Sequence, residues 1–133
     1  MRLRFAADEP ETEGRYAISV ATVPANEPGT TPHVHREHDD ITFVVDGVLA
    51  FDTDGDRFEA PAGTLVIIPR GLTHRWSNVS AEPATFLNIH IPGSGFESFV
   101  RELVDSPAGA MAEIGRRHDV YFDERVLRSR YSA

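Results

Sequence analysis

Between residues 14 and 92, apolar and polar positions run in short stretches, each closed by Gly, Pro, Asn or Asp, and this pattern predicts an all-β body. Tyr16, Ile18 and Val20 alternate with Ala17, Ser19 and Ala21, the period-2 signature of a strand, which Pro24 and Asn26-Glu27-Pro28-Gly29 end. Ile41 to Val45 is β-rich and closed by Asp46-Gly47; with Val48 to Phe51 it reads as a hairpin. Asp54-Gly55 marks a second tight turn before a short strand around Arg57 to Glu59, and Pro61-Ala62-Gly63 breaks the chain again. Leu65 to Ile68 is continuously apolar, as in a strand buried on both faces. After Pro69-Arg70-Gly71, His74 to Asn78 carries on, and Ala84 to Ile91 is a last long strand before Pro92. Strands this short and closely spaced predict a sandwich or barrel.

Past Pro92-Gly93-Ser94-Gly95 the period lengthens. Phe96, Phe99, Val100 and Leu103 fall at helical spacing, and Ser106-Pro107 separates this helix from a second around Ala110 to His118. The two helices are expected to cover one end of the β-body. No internal repeat is visible.

A length of 133 residues suits one domain and one site. The absence of cysteine excludes disulfides, iron–sulfur clusters and thiolate chemistry, so any metal must rest on nitrogen and oxygen, and it suits a reducing compartment. A formal charge of -8, from 21 acidic against 13 basic side chains, would repel a phosphate backbone and argues against nucleic acid as partner. The basic cluster of Arg116, Arg117, Arg125, Arg128 and Arg130 reads as the solvated side of a helix. The first ten residues lack the apolar run of a signal peptide and no stretch approaches a membrane span, so a cytoplasmic location is expected.

The chemistry lies in the histidines. His33 and His35, two apart on an extended chain, leave from one face, near enough to bind one ion. Asp40 follows across a polar turn, and His74 comes from a distant strand, as closed β-structures allow. His38 and Asp39 are expected at a loop surface, and His118, among charges, is expected to be exposed.

Two segments resemble the paired motifs of the cupin superfamily. The first is His33-Val34-His35, then Asp40, then Gly47; the second, Gly63, Pro69, Gly71, His74 and Asn78, matches at every step. Two departures stand out: Gly29 lies closer to His33 than the usual leading glycine, and Asp40 replaces the usual glutamate, one methylene shorter. Direct ligation by Asp40, or a contact to a ligating histidine, are therefore both open. The resemblance implies one cupin domain over residues 1–133: a double-stranded β-helix, or jelly-roll barrel, at about 14–92, and a helical segment at about 94–120. It also implies a divalent transition metal on His33, His35, Asp40 and His74, and a homodimer in which an edge strand, such as the β-rich N-terminal segment, joins a sheet of the partner.

Three imidazoles and a carboxylate suit Fe, Mn, Ni, Co, Cu or Zn. Similarity to quercetin-dioxygenase-like small cupins implies a metal-dependent dioxygenase acting on a small chelating enol, diketone or phenol. A non-redox isomerase, epimerase, lyase or cyclase on the same ion, or a module that only binds a small ligand, are alternatives. Trp76 and Asn78 share the parity of His74 and are pocket candidates. Phe86, Asn88 and His90 form another same-face series; if they point inward, Phe86 and Asn88 are further pocket candidates and His90 is the candidate general base or substrate anchor, and if outward, Leu87, Ile89 and Ile91 fill the core instead.

Overall fold

A computed structural model describes residues 1–8 and 11–126. Two five-stranded antiparallel sheets face each other. In the first, β1 (Arg2–Ala7), β2 (Ala17–Val23), β9 (Ala84–Ile91), β4 (Asp39–Asp46) and β7 (Leu65–Ile68) lie in that order. In the second the order is β10 (Tyr121–Phe122), β3 (His33–Val34), β8 (His74–Ser77), β5 (Val48–Thr53) and β6 (Asp56–Pro61). This is the double-stranded β-helix expected, followed by α1 (Phe96–Asp105), a 3-10 turn (Ala108–Ala110) and α2 (Met111–Arg117). β1 and β10 lie outside the stretch from which the strands were anticipated.

The turn at Asp54-Gly55 is a hairpin turn, joining Thr53 to Asp56 with φ of 46° and 94°, the left-handed backbone of a type I′ loop. Asp46-Gly47 is not. β4 pairs with β7 and β9 whereas β5 pairs with β6 and β8, so the chain crosses from one sheet to the other at Gly47. A jelly-roll needs such corners, and Gly47 permits this one: its φ is 79°, and a Cβ there would stand 2.5 Å from the Pro83 carbonyl oxygen. The displaced Gly29, with φ of 74°, sits so close to the Trp76 carbonyl that no side chain fits.

A second correction concerns β7. Only Val66 and Ile68 are buried; Leu65 and Ile67 are 56% and 60% exposed, because β7 is an edge strand whose outer face nothing covers. On β2 the inward residues are the small Ala17, Ser19 and Ala21, with Val23.

The inner face changes character along the barrel. Register pairs Val44 with Phe86, Thr42 with Asn88 and Asp40 with His90. Val44 and Phe86 join Ala21, Val23, Leu49, Phe51, Ala60, Val66, Ile68 and Ala84 in the main core. Two rungs further on, the interior is lined by a carboxylate and an imidazole. The phase of Phe86, Asn88 and His90 is thereby settled as inward, since Phe86 and His90 are both buried. The C-terminal segment builds a second apolar cluster on Phe99, Ile114 and Val120, flanked by Phe96 and Phe122, which meet the histidines: Phe96 lies 4.3 Å from His90 and Phe122 5.9 Å from His33, between ring centroids.

Candidate metal centre

His33 and His74 are register partners on β3 and β8, so the rings leave neighbouring strands at one level. His35 follows β3, and Asp40 enters from the facing sheet on β4. All four are buried, and one ligand atom from each lies within 4.8 Å of the others.

Hydrogen bonds fix which nitrogens converge. Nδ1 of His33 lies 2.8 Å from the Thr31 carbonyl oxygen, Nδ1 of His35 2.9 Å from that of Asp119, and Nδ1 of His74 2.9 Å from that of Leu72. A carbonyl only accepts, so each Nδ1 carries the hydrogen, and a neutral ring then has a bare lone pair at Nε2. The Asp40 Oδ2 is 3.4 Å from Nε2 of His35 and 3.3 Å from Nε2 of His74. The buried Nε2 of His35 makes no hydrogen bond. The His74 contact is within hydrogen-bond reach, and lone pairs turned on a carboxylate oxygen repel unless a proton or a metal ion stands between them. Two donors about 2.1 Å from one ion, at an angle between a right angle and a tetrahedral one, are about 3.0–3.4 Å apart. The donor set fits a transition metal.

The other carboxylate oxygen is already engaged. Asn88 donates to Asp40 Oδ1 at 2.6 Å, and Nε2 of His90 stands 3.6 Å from the same oxygen. Burial alone would raise the Asp40 carboxyl, but His90, His35 and His74 around it prevail and hold it well below the usual carboxylate range. Burial pushes the His33 ring well below its ordinary value, helped by His74 and His35. Burial also brings His90 down to about 4 despite the nearby Asp40.

His38 contradicts its expected surface position: it is wholly buried. Its ring packs tilted against those of His35 and His90, with 4.0 and 4.7 Å between centroids, and its Nδ1–H donates to Asp119 Oδ2 at 2.8 Å, with Ser94 Oγ 3.2 Å away. Burial takes it to about 4, and its Nε2 makes no hydrogen bond. The Asp119 carboxyl is held below its ordinary value; burial opposes this, but the Arg36 and Glu37 N–H groups and His38 outweigh it. Local sequence carries no signal for this pairing, because the partner is 81 residues away.

Asp39 does lie at the surface, paired with Arg70 at 3.2 Å, but it opens β4 and is not in a loop. His118, expected to be exposed, is half-buried, with Nε2 2.9 Å from Glu102 and Nδ1 3.2 Å from the Ser94 carbonyl oxygen. The basic cluster is largely neutralised: Arg116 pairs with Glu124, Arg117 with Glu102 and Arg125 with Asp123, while Arg128 and Arg130 lie outside the described residues.

Of the pocket candidates, Phe86 is buried in the core and meets Trp76 edge-on at 5.2 Å. Asn78 is fully buried, but its side chain ties a loop, donating to the carbonyls of Pro24 and Glu82 and accepting from Ser80. That bonding explains an asparagine at this position without a ligand. A surface groove of about 400 Å³ beside Arg36, Arg116 and Tyr121 includes no residue of the donor cluster.

Two facing antiparallel sheets with three imidazoles and a carboxylate at one end define a β-barrel with a donor cluster that could hold a metal ion. The description "Cupin domain" matches residues 19–90, more than half of the chain, and the protein belongs to the cupin family. Solved structures agree on the fold. A cupin 2 conserved barrel domain protein from Salinispora arenicola superposes with a TM-score of 0.59 at 21% identity, covering 76% of this chain and 83% of that one. A predicted oxalate decarboxylase from Thermotoga maritima gives 0.64 at 16% identity, over 68% and 78%. A sugar phosphate isomerase of the cupin superfamily from Silicibacter pomeroyi gives 0.54 at 22% identity, over 58% of this chain and 50% of that one, so the matched part is half of the isomerase. Among curated proteins none matches.

Proposed function

We propose that this cupin is a metal-dependent dioxygenase for a small organic molecule that chelates through adjacent oxygens, of the enol, diketone or phenol type. Nε2 of His33, His35 and His74 and Oδ2 of Asp40 would hold one divalent ion from among Fe, Mn, Ni, Cu, Co and Zn. The observation that carries this is the locking of all three Nδ1–H groups onto main-chain carbonyls, which leaves the three Nε2 atoms as the donors gathered beside one carboxylate. When bound, the ion would polarise a substrate enolate and bring it to O₂.

The chain's own residues supply the rest. Asn88 keeps Asp40 turned so that Oδ1 is engaged and Oδ2 is offered. His90, neutral above about pH 4 and inward-facing, is the base that takes the enolic proton on a ring nitrogen. Trp76 and Phe86 give the interior an apolar wall. A neutral base this near the carboxylate also favours a second reading, a non-redox isomerase, lyase or cyclase using the same residues without oxygen. Elemental analysis of protein purified without added metal, with oxygen uptake on a diketone and flavonol panel, separates them. Iron, copper, nickel or manganese with uptake supports the dioxygenase. Stoichiometric zinc and turnover under nitrogen replaces it with the non-redox enzyme, and ligand binding without turnover replaces both with a binding module.

We take residues 1–133 as one cupin domain acting in the cytoplasm; no helix among the described residues is long and apolar enough to cross a membrane. Self-association is supported by the outer face of the first sheet more than by β1 alone. Register places Ile18, Ile89, Ile41 and Ile67 in one row across four strands, and Val20, Leu87, Phe43 and Leu65 in the next. With Val45 and Ile91 beside them these rows span about 300–400 Å² at strand spacing, the apolar centre of a dimer interface of about 800 Å² per partner. The partner is a second copy: packing two such sheets face to face buries these apolar rows, with Arg4 and Asp39 at their margins, on chains that otherwise repel at -8.

A further inference from the structure

One residue of the C-terminal segment touches the metal-binding loop four times. Asp119 sits just after α2, with φ of 60°, and its main-chain carbonyl accepts the Nδ1–H of His35 at 2.9 Å. Its carboxylate accepts the Arg36 N–H at 2.9 Å on Oδ1, and the Glu37 N–H at 2.7 Å and the His38 Nδ1–H at 2.8 Å on Oδ2. Residues 35 to 38 belong to no strand, so these bonds replace the ladder that would otherwise hold them. Immediately downstream, Tyr121 and Phe122 pair with Val34 and His33, and the Tyr121 ring lies under the Arg36 guanidinium at 3.9 Å.

We propose that Asp119 is a positioning residue for the metal: its carbonyl selects the His35 tautomer, while its carboxylate staples the 36–38 turn that packs His38 against His35. This rests on the metal centre proposed above. The physical basis is that an imidazole binds an ion only with Nε2 bare and aimed, and His35 Nε2 has no other hydrogen bond to aim it. A carboxylate taking three N–H donors out of water forms charge-assisted bonds that resist rotation of the turn. Through the pairs at Asp119 and at Tyr121 and Phe122, the C-terminal segment sets the direction of His35 and backs His33. A barrel carrying the two sequence motifs alone would leave His35 free to turn.

Full-length wild type, Asp119→Gly and Asp119→Asn are compared for Co(II) affinity by chelator competition, for the visible d–d spectrum of the Co(II) form, and for thermal unfolding of the metal-free chain. Gly and Asn both accept a left-handed backbone, so neither substitution strains position 119. Both keep the main-chain carbonyl, so the comparison isolates the carboxylate. Asp119→Gly is expected to bind Co(II) 10–100-fold more weakly with a changed d–d spectrum, and Asp119→Asn to fall between it and wild type. The expected loss of affinity exceeds what any shift in metal-free unfolding accounts for. Wild-type affinity and spectrum in both variants, with or without lower unfolding temperature, overturns the inference and leaves the metal centre standing. If wild type itself takes up no Co(II), the metal centre falls, and the role of Asp119 with it.

Discussion

Asp40 and His90 are direct register partners on β4 and β9, and their side chains face each other inside the barrel with 3.6 Å between Oδ1 and Nε2. The distance is just beyond a hydrogen bond, and burial keeps the imidazole neutral down to about pH 4. The carboxylate proposed to hold the ion and the imidazole proposed as base are thus adjacent but not locked together.

His90 is therefore expected to matter for turnover and not for metal content. His90→Ala should retain one equivalent of metal while lowering the rate on a responsive substrate by about 10²–10⁴-fold, the usual contribution of a general base. Metal analysis beside initial rates checks this; an ion lost with the ring would make His90 a ligand.

Removal of a ligand should act the other way. His74→Ala should lower metal content severalfold while the circular dichroism of the β-sheets is kept. In wild type, metal at a hundred times its dissociation constant should stabilise the fold by about 2.7 kcal/mol, and this increment should vanish in the variant. Full occupancy of His74→Ala would remove His74 from the ligand set.

Asp40→Glu should keep the ion, because the longer side chain still presents one oxygen to the imidazoles. Overpacking beside Asn88, which grips Oδ1 at 2.6 Å, should cost about 1–3 kcal/mol of metal-free stability. Loss of the ion on this exchange would show that the shorter carboxylate is required.

Acid should weaken the metal-free fold from an unusually high pH. His38 and His90 bind protons near pH 4 in the folded chain and near 6.5 when unfolded. Both states are neutral at pH 7, but between 6.5 and about 4 the unfolded chain takes up protons that the folded one refuses, so stability falls with pH. Below 4 both states are protonated at these rings, and further loss comes from Asp40, whose carboxyl is held well under 3.8. Melting temperatures across this range should decline throughout it. A flat profile from 6.5 to 4 would mean that these rings are solvated in the native state.

The exposed apolar face makes a separate prediction. Ile67→Asp should shift the particle from dimer to monomer in light scattering without changing metal content, since Ile67 is 60% exposed and points away from the site. A wild-type chain that is already monomeric at micromolar concentration would remove the proposed interface.

The amino-acid sequence alone determined the parts that depend on local spacing. Turn residues bounded most strands; β7 and β9 run over Leu65–Ile68 and Ala84–Ile91 as anticipated, and the helical spacing of Phe96, Phe99 and Leu103 became α1. The two motifs were enough to name His33, His35, Asp40 and His74, and the fold brings these within 4.8 Å of one another. What tertiary structure decided was every question of which side faces what. Asp46-Gly47 has the chemistry of a hairpin but serves as a corner, because pairing belongs to strands far apart in the chain. Leu65 and Ile67 look like core yet lie on an open edge, because apolar character does not reveal whether a layer covers a face. His38 looked like an exposed loop residue, yet it is buried in its loop because Asp119, 81 positions on, closes over it. Composition and period act over a few residues, whereas burial and pairing depend on segments that meet only once the chain has closed.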